Sequence, residues 1–389
     1  MEDDKLESDD PIKNPDLDIA QLKFKLSLPE YSKDDEKKSQ LLEVITVNDM
    51  APYYEMVCED FDWEIKEDAL KEMKERNTEA LQAFDEEIEY SLNNLSVIDV
   101  KEAYLNKANY LSKIGDRENT IKTLSQAYDK TVALGCQLDN VFHCIRIGLF
   151  FMDLDLIRRN LQRASDLVDQ GADWHSRNCY QMCKALFSLI IKDFSVSTDI
   201  FVNAISTFIC TELISYDNFI KYTVLSASLT LNRREVKKNL IDNPDILQAL
   251  HLNSILNEYI ISLYECDYMR FFERLADIEI IMKEDMFLHF HYRYYIREMK
   301  TKAYDQLLST YISVKLSYMA DQFGVSSEYI ENDISNLIAN GRLNYKIDKV
   351  TGTINNTPKD LRTELFKSVI KHGDPLLNRV QDLSRVINI

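Results

Sequence analysis

Residues 307–355 read LLSTYISVKLSYMADQFGVSSEYIENDISNLIANGRLNYKIDKVTGTIN, and within this stretch the hydrophobic period changes. Val314, Leu316, Met319, Ala320 and Phe323 give a short helix with one apolar face, and Gly324, free to adopt positive φ, closes it. Ser326 is then the expected N-cap, with Glu328 in the first turn, where the helix dipole favours an acid. Ile330, Ile334, Leu337 and Ile338 follow at helical spacing. Beyond Gly341 the pattern turns to alternation through Leu343, Tyr345 and Ile347, and a turn over 348–352 leads into a second short strand, Thr353-Ile354. Helix, tight turn, helix, hairpin predicts a winged helix.

Charge decides how such a module is used. Between Ser326 and Ala339 the second helix carries Glu328, Glu331 and Asp333 and no Lys or Arg. A helix entering a nucleic-acid groove needs cations to neutralise phosphates, so the expectation is protein-protein packing, with nucleic-acid binding disfavoured. The whole chain points the same way. Its 389 residues carry a net charge of -19, which makes nucleic acid and anionic membranes poor partners. Glycine and proline are scarce, which favours helices over barrels and Gly-rich phosphate loops. No apolar run is long enough to span a membrane and the first residues are acidic, so a soluble intracellular protein is expected. Seven scattered cysteines, without a paired framework, read as reduced thiols in a helical core.

Upstream, residues 1–13 read as an acidic disordered tail and 14–94 as N-terminal helices. Asn14-Pro15-Asp16 marks a helix start, residues 29–38 read as a loop, and a helical piece from Leu41 is expected to end near Pro52. Leu70, Met73, Ala80, Leu81, Phe84 and Ile88 recur at three- and four-residue steps in a highly charged run, which predicts a partly exposed amphipathic helix. Residues 95–285 carry an internal repeat. Asp116 and Ala127, Asp153 and Ala164, Asp193 and Ala204 share one spacing, with Thr120 and Ile157, and Leu124 and Leu161, in register. An acid in the turn and a small residue at the helix crossing predict tetratricopeptide-like hairpins, stacked as a right-handed solenoid. A further degenerate pair is expected around Glu265-Cys266-Asp267.

Residues 286–355 hold the end of the repeats and the winged helix, and the ring-rich run 289–299 reads as a packed joint. In residues 356–389, Leu361, Leu365, Val369 and Ile370 mark a helix expected to break at His372-Gly373-Asp374-Pro375. Leu376, Val380, Leu383 and Ile387 then form a narrow terminal stripe, the pattern of a docking helix.

Candidate chemistry is sparse. His289 and His291 are similar to the H-x-H of zinc-dependent isopeptidases, but Tyr292-Arg293 stands where that family has Pro-Gly. Cys179 and Cys183 lie one helical turn apart without a cluster to complete a site, and a cysteine nucleophile would need His143 or His175 brought to it by folding. The basic runs Arg158-Arg159 with Arg163, and Arg233-Arg234 with Lys237-Lys238, read as solvated helix faces. No catalytic residue, metal site or cofactor is expected.

A helical-repeat array leading into a winged helix and a docking helix resembles the PCI-domain proteins. The blocks NPDLDIAQLKFKLSL, MAPYYEMVCEDFDWEI, YDKTVALG, RIGLFFMDLDLIRRN, SLYECDY, HYRYYIREM, FGVSSEYIENDISNLIANGRLNYKIDKVTG and LLNRVQDLSRVIN resemble the 26S proteasome non-ATPase regulatory subunit 6 family. The resemblance implies a non-catalytic scaffold of the proteasome lid, with a PCI domain over about residues 190–355. Its implied partners are other PCI-domain lid subunits, the lid deubiquitinase dimer and the ATPase ring, in the cytoplasm and nucleus. It further implies an assembly interface that uses Leu343, Tyr345, Ile347 and Ile354 on the hairpin and Leu376, Val380, Leu383 and Ile387 on the terminal helix. A signalosome-type PCI scaffold is the alternative, a zinc isopeptidase the weaker one. After the wing, INNTPKDLRTEL is shorter than the linker usual in the family.

Overall fold

The structure, a computed structural model, describes residues 14–31, 34–94, 97–131, 133–356 and 361–387. The tail expected over residues 1–13 lies outside them. The chain forms two compact units, one of residues up to 264 with 273–296, the other of residues 265–272 with those from 297 onward.

In the first unit, α1 (Leu17–Ser27) starts where expected, with the Asp16 carboxylate accepting from the Asp18 N–H at 3.0 Å. The next two helices, α2 (Asp35–Val47) and α3 (Ala51–Phe61), correct the sequence reading. The loop expected through Lys38 gives way to helix at Asp35, because Asp35 and Glu36 suit a first turn. Pro52 opens α3 instead of ending the helix before it, since first-turn N–H groups have no intrahelical acceptor to lose. The charged helix α4 (Glu67–Asn94) buries Met73 and Ile88 and leaves most of its charged residues exposed.

The repeat then appears as α5 (Val97–Ile114) with α6 (Arg117–Asp129), α7 (Leu134–Phe150) with α8 (Leu154–Asp169), and α9 (Trp174–Ile191) with α10 (Phe194–Ala204), each helix packed on the next. Asp116, Asp153 and Asp193 are the N-caps of α6, α8 and α10, accepting from the N–H groups of Asn119 (3.2 Å), Leu156 (3.1 Å) and Val196 (3.4 Å). Capping satisfies N–H groups that a helix start would otherwise orphan. Four residues after each acid lie Thr120, Ile157 and Ser197, and eight after lie Leu124, Leu161 and Phe201, all buried. Ala127 and Ala164 are fully buried at the crossings. Ala204 is only half-buried, because α10 ends there and passes into a 3-10 turn, Ile205–Thr207.

Before each capping acid the backbone is left-handed, at Gly115 (φ 81°), Met152 (φ 54°) and Lys192 (φ 77°). Only Gly115 adopts this without strain, and it is also crowded, since an added Cβ would lie 2.8 Å from the Tyr53 Cβ. Gly115→Ala should therefore cost about 2 kcal/mol of stability, read as an earlier urea midpoint. A midpoint equal to the parent's would show that the turn relaxes around the methyl group.

On α7, His143 is buried with its Nε2 unbonded, and burial, helped by nearby Arg146, pulls its pKa down from 6.5 to about 3. The unfolded chain takes up the proton first, so this contribution is complete above pH 6.5 and falls as pH drops toward 3. The loss should reach about 2 kcal/mol between pH 6.5 and 5. His143→Leu should flatten that slope in urea titrations at the two pH values, and an unchanged slope would place the titrating group elsewhere.

The rest of the unit comprises α11 (Tyr216–Thr230), a short α12 (Arg233–Val236) running into a π turn, α13 (Pro244–Leu252) and α14 (Ser254–Glu265). Parts of α15 (Tyr268–Glu284) and α16 (Tyr292–Leu308) complete it. Asp267 repeats the capping device at α15, with Cys266 left-handed at φ 66° and Phe271, Leu275 and Ile278 buried in the same register. The ring-rich run packs tightly. Tyr295 is fully buried, its hydroxyl 2.8 Å from that of Ser228 and 2.9 Å from that of Tyr259, and Tyr294 stacks on Phe194.

The second unit contains β1 (Ser313–Lys315), α17 (Leu316–Phe323), α18 (Ser327–Ala339), β2 (Tyr345–Asp348) and β3 (Thr353–Asn356). The expected winged helix is present, with one strand more than periodicity shows. The sheet order is β1-β3-β2, all antiparallel, with Ile354 opposite both Val314 and Ile347. Val314 therefore belongs to a strand, not to α17. A three-residue strand paired across some forty positions has no local signature, and only its β-branched residue hints at it.

The last helix, α19 (Leu361–Ile387), is continuous and carries Pro375 inside it. The break expected at 372–375 is absent. Proline removes one backbone bond, and on an exposed helix the freed carbonyl is solvated.

Candidate interaction surfaces

The winged helix is built on an aromatic knot. Phe323, at the end of α17, lies with its ring centroid 4.8 Å from those of Tyr268 and Phe272 and 5.0 Å from that of Tyr304. Gly324 closes α17 at φ 65°, and the Ser326 hydroxyl caps α18 by accepting from the Tyr329 N–H at 3.3 Å. Ile330, Ile334 and Leu337 are buried under α18, and Ile338 is half-buried.

Two of the three acids of α18 are occupied inside the module. Asp333 accepts from the Tyr304 hydroxyl at 3.0 Å and lies 3.8 Å from the Lys300 ammonium, and Glu331 pairs with Lys349 at 2.7 Å. Its exposed face presents Ser327, Glu328, Asn332, Ser335 and Asn336, which gives phosphate nothing cationic to meet.

Of the hairpin residues, Leu343, Tyr345 and Ile354 are buried and Ile347 is half-buried. Tyr345 reaches inward, donating to Asp305 at 2.9 Å. These side chains fill the core of their own module. What the hairpin leaves outward is the backbone edge of β2, which among the described residues pairs only with β3, together with exposed Lys346 and Val350. Its turn is held by Asp348, which accepts from the Val350 N–H at 3.0 Å and the Thr351 hydroxyl at 2.7 Å; these bonds hold its carboxyl below the usual range.

On α19 the terminal stripe faces solvent, with Leu376 60 %, Val380 64 %, Leu383 60 % and Ile387 74 % exposed. At 100° per residue, Leu365, Phe366, Val369, Ile370 and Leu377 project onto the same face, about 140° wide. The stripe expected to divide at Pro375 is therefore one face, continuous across the proline. Gly373 projects onto the middle of the face, and a Cβ there would meet nothing within 4 Å, so a partner can approach the backbone closely. A solvated helix with this much apolar surface gains little from propensity and is stabilised by burial against another surface.

The candidate chemical residues are engaged structurally. His289 Nδ1 and His291 Nε2 donate to the backbone carbonyls of Lys283 and Ile190, both at 2.7 Å, which turns one nitrogen of each ring away from any ion. Among the described residues no group of three or more His, Cys, Asp or Glu is placed to hold a metal. Cys179 and Cys183 share one face of α9, His175 lies 3.7 Å from Cys179, and His143 is buried on α7. Of the basic runs, Arg233 donates to the Tyr264 carbonyl at 2.6 Å, while Arg158, Arg159 and Arg163 are exposed. No described helix is long and apolar enough to cross a membrane.

Comparison with known proteins accounts for most of the chain. Residues 66–239 match the family model of 26S proteasome subunit RPN7, residues 234–357 that of the PCI domain, and residues 367–387 that of the 26S proteasome regulatory subunit RPN7/PSMD6 C-terminal helix. The 26S proteasome non-ATPase regulatory subunit 6 of Dictyostelium discoideum is 39 % identical over 382 residues, covering 98 % of this chain and 100 % of the relative. That of Caenorhabditis elegans is 39 % identical over 383 residues, covering 96 % and 93 %. COP9 signalosome complex subunit 1b of Drosophila melanogaster is 23 % identical over 300 residues, covering 74 % of this chain and 57 % of the relative.

Proposed function

Because the chain belongs to the family of 26S proteasome non-ATPase regulatory subunit 6, we propose that it is a non-catalytic scaffold subunit of the proteasome regulatory particle. The observation that carries this reading is the solvent-facing apolar stripe of α19, on the segment that matches the family's C-terminal helix. In this reading the stripe enters a bundle formed with other PCI-domain lid subunits, and the free edge of β2 continues a sheet-edge arc between neighbouring winged helices. The solenoid contacts other particle subunits and so holds the deubiquitinase dimer and ATPase ring in a working arrangement. The chain then supports ATP-dependent degradation of ubiquitinated proteins in the cytoplasm and nucleus without chemistry of its own. The histidine geometry and the relatives do not support a zinc isopeptidase.

The test is affinity purification of the tagged chain at moderate salt, with partners identified by mass spectrometry and the eluate assayed for ATP-dependent peptidase activity. Six ATPases and core-particle subunits should co-purify with that activity. Recovery of a cullin-deneddylating complex instead would favour the signalosome-type scaffold, and recovery of the chain alone would remove the scaffold reading.

A further inference from the structure

In the first unit a cavity of about 430 Å³ opens beside α9, lined among others by Asp139, Arg146, His175, Cys179, Cys210 and Glu212. Three of the seven cysteines converge here. Cys179 and Cys183 project from successive turns of α9, while Cys210 stands in the non-helical segment after the 3-10 turn Ile205–Thr207. The Cys210 thiol points at the Cys179 sulfur, 3.2 Å away, and the His175 Nε2 is 3.7 Å from that same sulfur. Arg146 reaches Glu212 at 3.0 Å and so ties the Cys210 segment to α7.

The three thiols are unlike one another. Cys179 is half-buried and lines the cavity; Cys183 is buried, and its pKa is pushed up to about 12 by burial. Cys210 donates to Cys179, which holds the Cys179 thiol below the usual range and raises that of Cys210. Burial and the carboxylates of Glu212 and Asp139 oppose ionisation of Cys179, while Arg146 favours it. The pair is therefore asymmetric, with one sulfur that accumulates charge and a second that carries a proton beside it.

We propose that this cavity is a thiol modification site, in which Cys179 is the peroxide-reactive sulfur and Cys210 the resolving thiol that closes an internal disulfide. In the first step the Cys179 sulfur attacks one peroxide oxygen. The O–O bond breaks, the thiol becomes a sulfenic acid, and the departing oxygen leaves as water with the thiol proton. In the second step the Cys210 sulfur attacks the sulfenic sulfur, the S–OH bond breaks, and the hydroxide leaves as water with the Cys210 proton. Peroxide is the oxidant, reduced to two waters over its two oxygens. Closing the sulfurs from 3.2 Å to a bond of about 2.05 Å needs a shift of about 1 Å, which the irregular segment carrying Cys210 can supply. The product fastens that segment to α9, thirty-one positions back along the chain.

The test uses the full-length reduced chain, treated with increasing hydrogen peroxide, alkylated and mapped by mass spectrometry without reduction. The first product should be a chain lighter by two hydrogens, with the peptides of Cys179 and Cys210 joined. It should form about tenfold faster than oxidation of half-buried Cys136 and Cys266 in the same sample. In Cys210→Ser the sulfenic acid should persist on Cys179 and be labelled by dimedone, while Cys179→Ser should leave Cys210 reduced. Oxidation spread evenly over Cys136, Cys179 and Cys266, or a disulfide with another pairing, overturns the proposal. Because that comparison uses the unsubstituted chain, it holds even if a variant fails to fold.

Discussion

A Leu383→Glu chain should fold like its parent and fail to enter its complex. Leu383 is 60 % exposed, and no described side chain of α19 is buried, so the carboxylate costs the isolated chain almost nothing. Far-UV circular dichroism and the thermal midpoint should match the parent's. In the proposed bundle the same carboxylate would lie unpaired in a dry interface, at a cost of about 3–5 kcal/mol, or roughly 10²- to 4 × 10³-fold in affinity. Co-purification with the ATPase and core-particle subunits should fall to background. Leu383→Met, which keeps volume and polarity close to the parent's, should assemble normally. Assembly of the glutamate variant at parental levels would show that the stripe is not the docking face.

The largest effect on the fold is expected at Asp285. Its side chain is 2 % exposed, and Oδ2 accepts from the Lys221 ammonium at 2.6 Å and from the Tyr222 hydroxyl at 2.9 Å. Oδ1 accepts from the Phe287 N–H at 3.0 Å. Tyr222 is buried, and burial together with the neighbouring carboxylate pushes its pKa well up, so it remains a donor. Asp285→Ala would strand a mostly buried ammonium and a buried hydroxyl, a loss of about 3–5 kcal/mol. The unfolding transition followed by tyrosine and tryptophan fluorescence should move to markedly lower urea. Combining Asp285→Leu with Lys221→Met should recover most of that loss, because no charge is then left without a partner. A midpoint for Asp285→Ala within about 1 kcal/mol of the parent's would mean that water replaces the carboxylate at little cost.

Much of the architecture was legible locally. The capping acids Asp116, Asp153 and Asp193, the Gly324 closure, the Ser326 cap and the alternation through Leu343, Tyr345 and Ile347 are each specified by residues a few positions apart. Sequence and structure differ where a local rule has two outcomes. Pro52 reads as a terminator until its place in the first turn is known, and Pro375 reads as a break although the apolar residues on its two sides keep one helical register. On the hairpin, alternation reveals that one face is apolar, not whether its own core or a partner buries it. Tyr345 bound to Asp305 answers that for the inward side.

The chain's own residues thus determined its helices, their caps, the repeat spacing, the winged-helix order and the solvent-seeking charge, because turns and periods involve neighbours three to eleven positions apart. Only the tertiary structure decided the pairing of β1 with β3, the left-handed turns at Met152, Lys192 and Cys266, the Asp285 network and the meeting of Cys179 with Cys210. Apart from those turns, these features join groups far apart along the chain, in the extreme the Met286 N–H and the Gln21 Oε1, 265 positions apart. Local pattern carries no trace of a contact whose partners meet only when the intervening helices have packed.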